Sequence, residues 1–192
     1  MMRYILAGIL VVMAVAIGFV TYEWYQARYG GEPYGEPFTL TDQNGAEITE
    51  AAFRGHPSII FFGFTHCPEI CPTTLFEMDG WLKQIGDEGK DIRAYFVSID
   101  PERDTADIMK NYVSNVSQRI IGITGEPAKV HDMAKAYNIY FKKVETEGGD
   151  YTMDHTASVL LLNARGEFAG TIAYGESPQA AAAKLKRLAA ES

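Results

Sequence analysis

The chain contains two cysteines, Cys67 and Cys71, in the segment FTHCPEICP. An apolar run precedes this segment and residues at helical spacing follow it, so we expect both thiols where a strand passes into a helix. Pro72 fits the first helical position, which would place Cys71 at or beside the N-cap. The positive end of a helix favours thiolate over thiol. Thiolate both binds metal and attacks disulfides, so the motif allows either chemistry; an inert buried pair is the alternative.

Two thiolates favour soft metals, namely Cu(I), Zn(II) or iron–sulfur clusters. A structural zinc site usually has four ligands and an iron–sulfur cluster usually has four cysteines. The chain has only two cysteines, so copper fits better, with one imidazole completing the site. Three residues separate the cysteines, whereas the redox motif of thioredoxins has two. The wider spacing lets both sulfurs face one ion and still permits a disulfide.

The chain offers four histidines for the third position: His56, His66, His131 and His155. His131 falls mostly off the apolar face of its predicted helix. His56 lies in a turn at the far end of the strand that leads to Cys67. His66 is adjacent to Cys67, but neighbouring side chains in an extended loop diverge. These three are therefore weaker candidates.

The elements that must position these residues follow the order βαβαβα and then ββα, after a short hairpin. The predicted strands are residues 38–40, 46–48, 57–64, 92–99, 119–123, 158–162 and 168–172, and the predicted helices are residues 72–85, 105–113, 128–137 and 178–190. This order predicts an α/β fold, a thioredoxin-like three-layer sandwich with an N-terminal hairpin and an insertion before the His155 strand. Ligands bind beyond the carboxyl ends of strands in open α/β sheets, which is where the cysteine segment lies.

His155 is expected to begin the strand of residues 158–162, after an insertion rich in Gly, Asp and Glu at residues 145–154. In a thioredoxin fold the loop that enters this strand lies against the cysteine motif. Thioredoxins carry a cis-proline in that loop, whereas this chain has no proline between Pro127 and Pro178. The sequence around His155 is equally compatible with a ligand and with an ordinary core or surface residue.

Three segments occur in a fixed order: FTHCPEICPTTL, VSIDPERDT and DHTASVLLLN. Together they resemble the Sco/SenC family of copper-binding, thioredoxin-like cytochrome c oxidase assembly proteins. The resemblance covers about residues 36–190 and extends to an N-terminal anchor.

The resemblance implies one copper ion per chain, Cu(I) or Cu(II), bound by Cys67, Cys71 and His155, with a redox disulfide between the cysteines. It also implies delivery of copper, or of reducing equivalents, to the dinuclear copper site in subunit II of cytochrome c oxidase, with a copper donor protein as a second partner. Asp100 and Asp104 would be outer-shell or docking groups. Alternatively, these two aspartates have only a structural role: they make the end of the strand soluble and provide an N-cap for the following helix.

An uncharged run from Tyr4 to Tyr22 lies between Arg3 and Glu23. At about 1.5 Å per residue it would span about 29 Å, close to the hydrocarbon thickness of a bilayer. Residues 1–25 are therefore expected to form one transmembrane helix, with a cleaved signal peptide as the alternative. Both interpretations predict that the rest of the chain is exported, to the bacterial periplasmic side or the mitochondrial intermembrane-space equivalent. Residues 26–36 are expected to be a linker and residues 37–192 the copper-binding domain.

The net charge is −8 and the basic residues are scattered, which argues against a nucleic-acid partner. A domain of this size folds without metal, so a metal site here would be functional. The leading hypothesis is a metallochaperone rather than an enzyme. A thiol–disulfide oxidoreductase that reduces the cysteines of the target is the alternative. A peroxidase ranks last, because peroxiredoxins need a proline upstream of the active-site threonine, where this chain has FFGF.

Overall fold

The computed structural model describes residues 2–29 and 33–191, in two units formed by residues 1–32 and residues 33–192. The first unit contains helix α1 (Met2–Tyr29). Across the described residues, no helix combines the length and the apolar character that a membrane crossing requires, so the predicted transmembrane helix is not supported.

The predicted linker ends inside the second unit. The backbone N–H of Tyr34 donates to the carbonyl of Gly166 at 2.8 Å, and the rings of Tyr34 and Tyr137 lie 5.5 Å apart, edge to face. Residues 30–32 of the predicted linker lie outside the described residues. The chain therefore already packs against the domain three residues before the predicted boundary at residue 37.

Residues 33–191 alternate strands and helices largely as predicted. In chain order they form β1 (Thr39–Asp42), β2 (Glu47–Thr49), β3 (Ser58–Gly63), α2 (Ile70–Ile85), β4 (Arg93–Ser98), α3 (Ala106–Val116), β5 (Ile120–Thr124), α4 (Pro127–Ala136), β6 (Phe141–Glu145), β7 (Tyr151–His155), β8 (Val159–Leu162), β9 (Phe168–Ile172) and α5 (Pro178–Ala190). Short 3-10 turns occur at Glu50–Phe53 and Gly86–Gly89.

The main sheet has the strand order β2-β1-β5-β4-β3-β8-β9. Strands β3, β4 and β5 are parallel, and β8 runs antiparallel to β3. All six residues of β3 are buried, as expected for a central strand covered on both faces. The carboxyl ends of the parallel strands meet at one edge, and β8 starts at that same edge.

Helices cover both faces of the sheet. Helix α2 contacts α3 and α5 on one face. On the other face Tyr137, at the end of α4, packs against Phe62 and Phe53 with ring centroids 5.8 and 6.1 Å apart. Ser177 caps α5 by accepting from the N–H of Ala180, and a proline follows the cap, so this helix has the bounds that the sequence predicts. The α/β sandwich is therefore present.

The predicted insertion is an ordered β-hairpin, although the sequence predicts no strand between residues 124 and 157. Strands β6 and β7 pair in a separate two-stranded sheet and turn at Gly148 and Gly149, whose positive φ angles of 92° and 82° suit glycine. His155 ends β7 and pairs with Phe141, so the expectation that His155 begins the strand of residues 158–162 is wrong. The cause is the polar character of β6, whose residues are exposed after Phe141 and show no buried face.

Candidate metal and thiol site

Strand β3 delivers the cysteine loop to the edge of the sheet. Helix α2 begins at Ile70 with Glu69 as its N-cap, so Cys71 is the second helical residue. The prediction that Pro72 starts the helix is wrong by two residues. Proline is tolerated there because the first four N–H groups of a helix have no intrahelical partner. Cys71 therefore lies inside the first helical turn, with Cys67 in the loop before it.

The two thiols form a close and unequal pair. The backbone N–H of Cys71 donates to the Sγ of Cys67 at 3.3 Å. Cys71 is buried, Cys67 is partly exposed, and both are free thiols. A hydrogen bond from the Cys71 side chain, the largest cause, lowers the pKa of Cys67 to about 4, against the opposing effect of burial. The same hydrogen bond, with burial, raises the pKa of Cys71. Cys67 is therefore the thiolate of the pair.

A glycine makes room for the buried thiol. A Cβ added at Gly63 would lie 2.8 Å from the Sγ of Cys71 and 2.8 Å from the ring of Phe96. Such distances are shorter than van der Waals contact, so any larger residue would displace the sulfur or the ring. Gly63, the last residue of β3, thus allows Cys71 to lie directly against the sheet.

The β6–β7 hairpin brings His155 to the thiols. Its Nε2 lies 3.6 Å from the Sγ of Cys71, and its Nδ1 lies 2.9 Å from the carbonyl oxygen of Thr156. A carbonyl only accepts, so this contact places the proton on Nδ1 and leaves the lone pair of a neutral ring on Nε2, facing the sulfur. The rings of Phe61 and Phe64 flank the imidazole, with centroids 6.0 and 5.9 Å away.

The other three histidines contact different groups. His66 is half exposed, with Nδ1 3.1 Å from the hydroxyl of Thr65 and 3.9 Å from Asp104. His131 stacks on Phe141 with centroids 4.7 Å apart. His56 is buried at the opposite end of β3, with Nδ1 3.3 Å from the hydroxyl of Ser58. Of the four candidates, the structure thus brings His155 to Cys71.

Asp104 supports the cysteine loop. Its carboxylate accepts from the backbone N–H and hydroxyl of Thr65 at 3.1 and 2.6 Å, and from the hydroxyl of Ser98 at 2.7 Å. Burial raises the pKa of this carboxyl group. Thr105 caps α3 with its own side chain. The alternative that an aspartate of this motif caps the helix is therefore wrong.

Asp100 contacts the β6–β7 hairpin, which carries His155. It is buried, accepts from the Tyr151 hydroxyl at 2.8 Å and forms an ion pair with Arg103. Tyr151 begins β7, the strand that ends at His155. Tyr151 and Arg103 are not among the site residues that the sequence predicts, because Tyr151 lies about 50 positions from the residues that it contacts. An aromatic residue two positions after a Gly-Gly turn was the available signal.

A groove of about 240 Å³ gives access to Cys67 and His155 from outside. The cysteine loop and β7 form its walls, which include Cys67 and His155 as well as the acidic residues Glu69 and Asp154. Among residues 2–29 and 33–191, no group of three or more His, Cys, Asp or Glu side chains could hold a metal ion as it stands. Cys71 does, however, contact both Cys67 and His155.

The unequal pKa values give a first prediction. In the reduced protein, iodoacetamide should modify Cys67 at a rate that changes less than about twofold between about pH 6 and about pH 8, because Cys67 is already thiolate there. An ordinary thiol of pKa about 8.5 would react roughly 75-fold faster at the higher pH. Mass spectrometry of the modified peptide measures this rate. Cys71→Ala removes the hydrogen-bond donor and should restore a steep pH dependence; a steep rise in the unaltered protein would refute the assignment.

The fold and the site define a thioredoxin-like protein with two thiols and an imidazole at the edge of its sheet. The SCO1/SenC family model matches residues 26–190, and the chain belongs to this family. The human mitochondrial protein "SCO1 homolog" is 39% identical over 145 residues, which cover 73% of this chain and 48% of the human protein. The chain spans about half the length of curated relatives such as this one and yeast SCO2.

Two solved structures are similar over nearly their whole length. Bradyrhizobium japonicum ScoI with copper bound is 46% identical, has a TM-score of 0.74, and the match covers 80% of this chain and 98% of that one. Arabidopsis thaliana ScoI with copper bound is 31% identical, with a TM-score of 0.78 and coverage of 83% and 99%. The predicted family and thioredoxin-like fold are therefore confirmed.

Proposed function

We propose that the protein is a copper metallochaperone that binds one copper ion, Cu(I) or Cu(II), through Cys67, Cys71 and His155. The observation that carries the proposal is the position of the His155 Nε2, 3.6 Å from the Sγ of Cys71, while Nδ1 is held by a backbone carbonyl. Metal-binding histidines typically fix their second nitrogen in this way. Copper in similar Sco structures supports the choice of metal.

Each proposed ligand has a separate role. Cys67 supplies a thiolate at neutral pH because its pKa is about 4. Cys71 supplies a second sulfur after losing its proton to solvent when the metal binds, as thiol ligands do. His155 adds the nitrogen that Cu(II) prefers, whereas Cu(I) tolerates two sulfurs alone. Two soft ligands and one imidazole therefore suit both oxidation states.

We further propose delivery of this copper to the dinuclear copper site in subunit II of cytochrome c oxidase, after loading by a copper donor protein. The test mixes copper-loaded protein with a purified, metal-free fragment of subunit II. The absorption spectrum of the dinuclear site should appear in the fragment as copper leaves the chaperone. The metal-free protein provides the matched control. Copper that stays on the chaperone at equilibrium would refute transfer to this target.

Thiol–disulfide exchange is a second candidate function, because the low pKa of Cys67 favours a nucleophile. The Cys67 thiolate would attack a disulfide of the target and release one target thiolate. Cys71, after giving its proton to that thiolate, would attack the mixed disulfide and release the second. The target disulfide is then reduced and Cys67–Cys71 is oxidised. Release of target thiols by reduced, metal-free protein distinguishes this reaction from copper transfer.

We assign Asp104 an outer-shell role, because it accepts three hydrogen bonds from Thr65 and Ser98 beside the cysteine loop. Asp104→Ala should lower the free energy of unfolding by about 3 kcal/mol, since it leaves buried donors without an acceptor. Guanidinium denaturation measures this change. Asp107→Ala, at an exposed carboxylate on α3, is the control and should cost less than about 1 kcal/mol. Equal effects would contradict the assignment.

Export of the copper-binding domain is also part of the proposal. Sco relatives named as mitochondrial, such as the human and yeast proteins, support an intermembrane-space equivalent. Protease added outside the inner or cytoplasmic membrane should then degrade residues 33–191. A fully protected domain would place the protein in the cytoplasm or matrix and refute export.

A further inference from the structure

Tyr151 is held on three sides by side chains that are not among the proposed copper ligands. Its hydroxyl donates to Asp100 at 2.8 Å. The guanidinium of Arg103 and the ammonium of Lys143 each lie 3.7 Å from the centroid of its ring. Cations favour the face of an aromatic ring. We call Tyr151, Asp100, Arg103 and Lys143 the tyrosine clamp.

The tyrosine clamp joins the β6–β7 hairpin to the loop between β4 and α3. Arg103 also donates to the carbonyl of Tyr151 at 3.0 Å and to the carboxylate of Asp150 at 3.2 Å. Lys143 pairs with Glu102 of the same loop at 3.1 Å. An isolated two-stranded hairpin is at best marginally stable in water. These contacts therefore stabilise the β6–β7 hairpin, which the pairing of its two strands alone would not hold in place.

Tyr151 and His155 lie at opposite ends of β7 and on the same face, because side chains alternate along a strand. The strand between them is paired with β6 over its whole length. A shift of the hairpin at Tyr151 would therefore move His155 relative to the thiols. The cysteine loop is attached separately, through β3 and Asp104, so the thiols would not follow.

We propose that Tyr151 is a positioning residue that, through the tyrosine clamp, keeps the His155 imidazole within reach of Cys71 and thereby sets the affinity for Cu(II). The inference rests on the proposed function, since it assumes that His155 is a copper ligand. Loss of the clamp affects Cu(II) more than Cu(I), because two sulfurs can hold Cu(I) without the imidazole.

The test compares Tyr151→Leu, Tyr151→Phe and Val144→Ala. Leu removes the ring and the hydroxyl, whereas Phe keeps the ring between the two cations and loses only the bond to Asp100. Val144 pairs with Thr152 on the opposite face of the same hairpin, so its truncation is the matched control. Tyr151→Leu should bind Cu(II) about tenfold more weakly, in the usual range for outer-shell residues. Tyr151→Phe should show a smaller loss in the same direction, and Cu(I) affinity should change less than about threefold in both.

Amide hydrogen exchange of the metal-free variants supplies a readout that does not depend on copper. Tyr151→Leu should speed exchange in β6 and β7 while β3 and β4 keep their protection. If exchange and Cu(II) affinity equal those of Val144→Ala, or if Cu(I) and Cu(II) affinities fall equally, the positioning role is wrong. If the unaltered protein binds no copper, the proposed function fails, and the exchange data still decide whether Tyr151 holds the hairpin. If Tyr151→Leu does not fold, Tyr151→Phe decides, and an unchanged Cu(II) affinity there overturns the proposal.

Discussion

Oxidation of Cys67 and Cys71 to a disulfide is expected to lower copper affinity at least about a thousandfold, which corresponds to about 4 kcal/mol. The metal and the disulfide compete for the same two sulfurs, and a disulfide sulfur has lost the thiolate charge that binds a soft metal. The two thiols are close enough to share a hydrogen bond, so the sulfurs that would form the disulfide are already neighbours. Competition with a chromophoric Cu(I) chelator measures both forms.

The oxidation must be reversible for this comparison to count. Treatment with a small thiol should restore both free cysteines and full copper affinity in the same sample. Cys71→Ala provides a matched control, because it cannot form the disulfide and loses one ligand without oxidation. It should bind copper weakly under reducing and oxidising conditions alike. Oxidised protein that binds copper as tightly as reduced protein would rule out a thiolate site.

Much of the fold is predictable because its central elements carry strong local signals. Strand β3 is a continuous apolar run, and every residue in it is buried. Helix α5 follows a serine cap and a proline, and both of its ends agree with the sequence prediction. Helix α2 was predicted two residues too short at its start, because proline is common at the first helical position and is also tolerated at the third. Local signals thus fix the type of an element better than its first residue.

The site was only partly predictable, because its two halves come from distant segments. Cys67 and Cys71 are recognisable from their residue type and spacing. Asp100 and Asp104 are recognisable because they follow a predicted strand. The β6–β7 hairpin has no such signal, because Met153 alone is buried among its ten strand residues. Its attachment depends on contacts such as that between Tyr151 and Asp100, which are 51 positions apart. The family resemblance, rather than local chemistry, is what singled out His155.

Replacement of His155 by alanine is expected to separate the two oxidation states of copper. His155→Ala should weaken Cu(II) binding about a hundredfold or more, about 2.7 kcal/mol, and abolish or strongly alter the thiolate-to-copper charge-transfer band. Cu(I) affinity should fall less than about tenfold, because both sulfurs remain. The Nε2 of His155 already lies 3.6 Å from the Sγ of Cys71, so the substitution removes a nitrogen donor from beside that buried thiol. Absorption titration with Cu(II) and chelator competition for Cu(I) measure the two affinities.

Two other histidines, His66 and His131, provide the controls for this substitution. His66→Ala and His131→Ala should leave the charge-transfer band unchanged, because His66 lies beside Asp104 and His131 stacks on Phe141. Far-ultraviolet circular dichroism establishes that each variant is folded, which matters because Phe61 and Phe64 pack around the ring of His155. An unchanged Cu(II) spectrum in folded His155→Ala would remove this residue from the site. His66, adjacent to Cys67, would then be the next candidate for the nitrogen ligand.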